Sequence, residues 1–308
     1  MITAQKNAYR FMLPEIDGKY KTGTVFSRKA AEKKLAEGVT YYELKYTNRE
    51  GKNVNAFALS VEGSSPARFR VWAGDMASVD EGKTTFTRKT VADQAKELGD
   101  DTGDEVLAAT NAAYFRMSDG SNMPYCMRLV RGRVLCPPRI VTRIPMRPDD
   151  WVGITYDGRL VCGNKESYES EWVGRLEYAV AMGVHMMLDG KIDFSKGIVD
   201  CNPLTALATT SDGGFILLCV DGRTEASAGA TGVDILGMMI DIAGWTPDLL
   251  LVNVYTLDGG GSTEMVLKNE ENGEFFTANF PSGGPNGGIS RKVGDIIAVA
   301  IPKQQCEV

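Results

Sequence analysis

Residues 257–266 read LDGGGSTEMV: an acid, Asp258, then three consecutive glycines, Gly259, Gly260 and Gly261, then Ser262, Thr263 and Glu264. The seven residues before them, 249–255 (LLLVNVY), are almost wholly apolar and predict a buried strand. Glycines just past such a strand can take positive φ and let a ligand lie against bare backbone. Successive N–H groups in such a turn can also form an anion-binding nest. Asp258 adds a carboxylate at the rim, and Ser262 and Thr263 add hydroxyl donors. A triple glycine alone is more readily a tight turn, so the flanking residues have to decide its meaning.

Upstream, residues 231–244 form the clearest helix of the sequence. Thr231 and Asp234 have capping-box spacing, Ile235, Met239 and Ile242 make an apolar stripe, and Gly244 followed by Pro247 ends it. This helix should connect the apolar run FILLCV (215–220) to the strand before Asp258, making those two strands neighbours. Asp221 follows the first run directly. Residues 41–47 and 54–61, separated by NREGKN, predict a hairpin; 68–73 predicts a further strand and 87–98 a short helix. Residues 106–115 predict a buried strand running into a turn, with Asn111 near its end. Asp-Gly pairs punctuate the chain at 119, 157, 189, 212 and 221, and most lie between short strand-like runs, a hairpin signal. Ser27 could cap a helix over 28–37, stopped by Gly38. The acidic stretch GDDTGDE (99–105) reads as a solvated loop with room for a calcium ion. DGKIDFSKGIVD, from Asp189, has Lys191 and Phe194 where an EF-hand needs an acid and a glycine, which rules that motif out. These elements predict an α+β (mixed α/β) fold of hairpin-rich mixed sheets with a few packed helices. The expected divisions are an N-terminal extension at 1–37, a main domain at 38–302 and a tail at 303–308.

Composition narrows the function classes. The chain has 308 residues, 43% hydrophobic and 24% charged, with a net charge of −6, an ordinary globular make-up. No long basic run favours nucleic acid as a partner. No apolar run reaches the roughly 20 residues that span a membrane. The start lacks an apolar signal core, which points to the cytoplasm, or to an extracellular protein whose leader has been removed. The six cysteines show no CxxC pair and read as reduced thiols. A single histidine, His185, rules out a multi-histidine zinc site. It reads as structural, and a Ser262–His185–Asp triad is disfavoured because Ser262 lacks a G-x-S-x-G elbow.

Five ordered blocks make the DGGGS loop specific. They are Asn111 to Phe115, a Thr-Ala strand from Thr205, the DGR of Asp221, Gly222 and Arg223, the capped helix with the DGGGS loop, and Asn279, Pro281 and Ser282 followed by Arg291. In this order the chain resembles the phosphodiester glycosidase family over roughly residues 38–302. Two positions depart from the family: Leu204 stands where an arginine usually precedes the Thr-Ala strand, and Thr256 where an asparagine commonly precedes LDGGGS. The resemblance implies a hydrolase that frees a sugar from a sugar-1-phosphodiester, leaving a phosphomonoester. The alternative is a protein that binds a glycan phosphate or nucleotide without cleaving it, or a structural component with a vestigial site.

Cleavage at an anomeric carbon passes through an oxocarbenium-like state and generally uses two carboxylates, roughly 5–5.5 Å apart for retention or 6.5–9.5 Å for inversion. The phosphate side calls for arginine and backbone donors. The matched blocks supply Asp258, Asp221 and Glu264 as acids. Asn111, Thr205, Arg223, Gly259, Gly260, Gly261, Ser262, Thr263, Asn279, Ser282 and Arg291 are the candidates for substrate and phosphate binding. Both arginines should face the glycine loop and share one phosphate with it. Which acid is nucleophile and which base stays open, as does the sugar. No cofactor is required by this chemistry, no metal ligand set is assigned, and a divalent cation among the acids is left open. The expected partner is a sugar-phosphate or glycoconjugate substrate, with no nucleic acid and no membrane span.

Overall fold

The computed structural model describes residues 28–48, 50–139, 150–193 and 200–303. An eight-stranded sheet forms its centre. In chain order its strands are β1 (Arg28–Ala36), β2 (Val39–Thr47), β3 (Asn53–Val61), then β11 (His185–Leu188), β12 (Lys191–Ile192), β13 (Leu204–Thr210), β14 (Phe215–Val220) and β15 (Leu251–Thr256). Across the sheet they run β1-β2-β3-β14-β13-β15-β11-β12. A second sheet holds β4 (Arg68–Ala73), β5 (Glu105–Asn111), β16 (Met265–Lys268), β17 (Phe275–Thr277) and β18 (Asp295–Ile301) in the order β17-β16-β5-β18-β4. A third holds β6 (Arg128–Val130), β7 (Arg133–Cys136), β8 (Trp151–Thr155), β9 (Leu160–Gly163) and β10 (Leu176–Ala181) in the order β7-β6-β10-β8-β9. Among the described residues two helices longer than two turns accompany them, α1 (Val91–Thr102) and α2 (Gly232–Gly244).

The apolar run FILLCV shows why the large sheet sits in the middle. Phe215, Leu217 and Cys219 belong to the core shared with the other two sheets, while Ile216, Leu218 and Val220 belong to a second core. A strand buried on both faces needs apolar residues without alternation. The second core lies beneath α2, whose Ile235, Leu236, Met238, Met239 and Ile242 cover that face. Thr231 caps α2 by accepting from the Asp234 N–H, and the Asp234 carboxylate returns the bond to the Thr231 N–H.

The topology brings distant residues to one edge. β13 is antiparallel to both β14 and β15. β14 and β15 therefore run parallel, and α2 is their crossover. Both end at the same edge of the sheet, so Asp221 and Asp258 leave it side by side in direction. The two strands are not neighbours as expected, because β13 lies between them. Nor does Asn111 end a strand of this sheet. It ends β5 in the second sheet, whose tip meets the large sheet through the Asp258 N–H, which donates to the Ala112 carbonyl at 2.9 Å.

Other expectations divide similarly. The 41–47/54–61 hairpin is β2–β3, and the Asp-Gly pairs at 157, 189 and 212 turn β8–β9, β11–β12 and β13–β14. Asp221-Gly222 turns no hairpin, since β14 passes into the loop before α2. The helix expected over 28–37 is instead strand β1, paired along β2 and turned by Gly38 at φ 65°. Pairing with a neighbouring strand overrides helical propensity here. The helix expected from residue 87 begins at Val91, because Thr90 is the cap, and Lys89 pairs with Val293. In the acidic stretch at 99–105, Asp104 pairs with Arg70 and Asp101 with Arg131, so these carboxylates meet arginines rather than a cation site. The five described cysteines are free thiols; Cys306 and part of the rejected calcium-like loop lie outside the described residues. Among the described residues no helix is long and apolar enough to cross a membrane.

Candidate active site

The glycine loop is built from beneath. Asn111 has no exposed surface. Its Nδ2 donates to the Asp258 carbonyl at 2.6 Å, and its Oδ1 accepts from Thr205 Oγ1 at 2.6 Å and the Glu264 N–H at 3.2 Å. One amide thus ties the tip of β5 to β13 and to both ends of the loop. Asn111 and Thr205, expected to touch substrate, are instead the buried support of the loop. Burying such groups is tolerable because each is satisfied.

Asp258 stands at the loop's rim, half-buried. Burial pushes its carboxyl up to about 7, against the opposing pull of Ser262, Arg291 and the Gly259 N–H. The Arg291 guanidinium reaches Ser262 Oγ at 3.4 Å. It also crosses Gly261 so closely that a Cβ there would fall 2.3 Å from Nη2. Arg223 lies over Gly260, where a Cβ would fall 3.2 Å from its Nη2. Its own backbone is left-handed, φ 62°, and Asn202 Oδ1 accepts from its Nη2 at 3.1 Å. The two guanidinium groups therefore both approach the glycine loop, Arg223 at Gly260 and Arg291 at Gly261, and guanidinium groups are the donors that anions such as phosphate select. The expected three-donor nest is reduced, since the Gly259 N–H donates to the Asp258 carboxylate and the Gly260 N–H to the Pro203 carbonyl. The short 3₁₀ turn over Gly260–Ser262 occupies two more N–H groups, those of Ser262 and Thr263, on the Gly259 and Gly260 carbonyls.

On the Gly260 side lies a cleft of about 870 Å³, lined among others by Asp221, Arg223, Phe280 and Ser282. Ser282 Oγ donates to the Gly260 carbonyl at 3.2 Å. Asp221 is 3% exposed and burial raises its carboxyl to about 6, against Asn279, the Phe280 N–H and Lys45. Asn279 Nδ2 bridges Asp221 Oδ1 at 3.0 Å and the Thr263 carbonyl at 3.2 Å, while Asn279 Oδ1 accepts from the Met265 N–H. Asp221, Arg223 and Ser282 thus share the cleft, whereas Asp258, Ser262 and Arg291 meet on the Gly261 side of the same loop. The charges acting on Asp258 come from Arg291 and Asp295 and that on Asp221 from Lys45.

Glu264 lies behind the loop, 1% exposed. Its Oε1 accepts from Thr277 Oγ1 and Ser290 Oγ, and burial raises its carboxyl. It is not at the cleft surface; its contact with Ser290 steadies the segment that carries Arg291. Thr263 is equally buried, at 1%. His185 is held between Asp150 at 2.9 Å and Asp193 at 3.2 Å, so it is not paired with Ser262. Among the described residues no group of three or more histidine, cysteine or acidic side chains gathers as metal ligands do. Sequence reasoning missed Tyr114, which hydrogen-bonds Thr256 beside Asp258 and is pushed up by burial. It also missed Asn202, Lys45 and Phe280. Of these only Tyr114 left a sequence signal, the Tyr-Phe at the end of its block.

Comparison with known proteins now places the chain. It belongs to the phosphodiester glycosidase family, whose model matches residues 104–300. In structure it is similar to the zebrafish N-acetylglucosamine-1-phosphodiester alpha-N-acetylglucosaminidase catalytic domain, auto-inhibited by its pro-peptide. That likeness has a TM-score of 0.60 at 19% identity over 94% of this chain and 91% of that one. It is also similar to a hypothetical protein from Synechocystis, with a TM-score of 0.54 at 11% identity over 91% of this chain and 64% of that one. At these identities the likenesses speak for the fold. No curated protein matches the chain in sequence.

Proposed function

We propose that this chain hydrolyses a sugar-1-phosphodiester at the anomeric carbon, releasing a free sugar and a phosphomonoester. The observation that carries this reading is the pair of guanidinium groups, Arg223 at Gly260 and Arg291 at Gly261 of one glycine loop, with the Asp258 carboxyl raised to about 7 on the Arg291 side. The arginines hold the phosphate and offset its charge as the C1–O bond breaks. The leaving group is a phosphomonoester and already a good one, so one carboxyl near neutrality suffices to manage the proton of the attacking water. The water oxygen ends on C1. Asp258 and Asp221, with values near 7 and 6, are the two acids poised for this work at the pH of most cells.

A panel of UDP-sugars, simple sugar-1-phosphodiesters and polymer-linked sugar phosphates should show turnover of at least one. Asp258→Ala should reduce that turnover roughly 10³-fold. Folded protein that is silent across the panel would count against the reading. A second reading, binding without cleavage, is favoured by one feature: Leu204, where the family usually has arginine, packs under Gly259 and places no charge there. Calorimetric binding of the same compounds without product would support it.

A further inference from the structure

We propose that Phe280 is the platform for the sugar ring of the substrate, stacking against the apolar C–H face of a pyranose while its hydroxyls meet the polar wall of the same cleft. This inference rests on the hydrolase reading above and adds which end of the substrate lies where. Phe280 is a large apolar side chain left 47% exposed, and it lines the cleft beside Asp221 and Arg223. An exposed aromatic ring in a polar cleft is the arrangement expected where one flat apolar ligand face must be matched.

The ring is held rather than loose. Its own N–H donates to both oxygens of Asp221, at 3.0 and 3.1 Å, so ring and acid are fixed one backbone unit apart. Gly287 and Gly288 pack against the ring, where a Cβ would come within 2.5 and 3.3 Å of it, and both take left-handed φ, 72° and 73°. The loop carrying them is closed by the Gly288 N–H donating to the Pro281 carbonyl at 2.7 Å and by the bridge between Ser282 and Ile289. Asn55, Glu225 and Asn286 also line the cleft and offer polar side chains to hydroxyl groups. Arg223, which reaches from the cleft to Gly260, marks the side on which the phosphate sits. A pyranose on the Phe280 ring therefore has its anomeric carbon toward Asp221 and the arginine, with the aglycone leading away past the glycine loop.

The test compares Phe280→Ala, Phe280→Leu and Phe280→Tyr with the wild type. On any sugar phosphodiester that the wild type turns over, Phe280→Ala and Phe280→Leu should raise KM about 10- to 100-fold, and Phe280→Tyr should stay within about threefold. Thermal melts check that the variants fold, as a half-exposed side chain should allow. A second measurement needs no turnover: saturation-transfer NMR with α-glucose 1-phosphate and UDP-glucose, irradiating the protein's aromatic protons. Transfer to the sugar ring protons in the wild type, lost in Phe280→Ala, supports the platform even if no substrate is cleaved. An unchanged KM in Phe280→Ala overturns it with the hydrolase reading intact. Absence of transfer to either compound's sugar in the wild type overturns it as well.

Discussion

Among single residues, Asp258 matters most to the proposed chemistry. Its carboxyl stands at about 7 rather than 3.8 because burial disfavours the charge. Between those values the folded chain keeps a proton that the unfolded chain releases, so stability falls as pH rises through that window. Asp258→Asn cannot ionise there. Its melting temperature should therefore gain on the wild type between pH 4 and pH 8; an equal gap at both pH values would show that Asp258 is not raised. If Asp221 and Asp258 divide the roles of acid and base, kcat/KM should be bell-shaped with limbs near 6 and 7. Asp258 was legible in the sequence because an acid and three glycines follow an apolar run. Phe280, Asn202 and Lys45 were not, because their significance comes only from what the fold places beside them. Asn111 and Thr205 were legible as members of the site but not as its buried support, since a motif names residues without saying which way they face.

At the scale of elements, the glycine loop is an adaptor between arginines. Gly260 alone of its three glycines has a left-handed φ, 61°. Gly261 needs no such freedom and is small because Arg291 crosses it, with three guanidinium atoms within 3.0 Å of where a Cβ would stand. Gly261→Ala should therefore push aside a flexible side chain at little cost in melting temperature. It should weaken phosphate holding by the worth of a charge-assisted hydrogen bond, roughly 10- to 100-fold in KM. A large loss of stability with unchanged KM would place the constraint in the backbone instead. Helix α2 was readable from its capping box and stripe, which are local signals. Strand β1 was not, because RKAAEKKLA suits a helix until β2 offers it an edge. The position of β13 between β14 and β15 was equally out of reach, for strand order leaves no periodicity to read.

At the scale of the whole molecule, the site lies where two sheets meet. β13, β14 and β15 deliver Asp221 and Asp258 to one edge, and β5 brings Asn111 beneath them from the second sheet. The second and third sheets are in turn locked by a buried ion pair, Arg128 with Asp295, 2.7 Å apart and each 1% exposed. Asp295 also accepts from the Ala113 N–H at 2.8 Å, steadying the turn that carries the Asp258 backbone. Such a pair is costly to break from one side, by about 3–5 kcal/mol. The reaction proposed for this junction breaks the bond between the anomeric carbon and oxygen and leaves the phosphorus–oxygen bonds intact. Hydrolysis of a turned-over sugar phosphodiester in ¹⁸O-labelled water, read by mass spectrometry of both products, tests it most directly. The label should appear in the free sugar and not in the phosphomonoester. Label in the phosphomonoester would mean attack at phosphorus, and would rule out hydrolysis at the anomeric carbon.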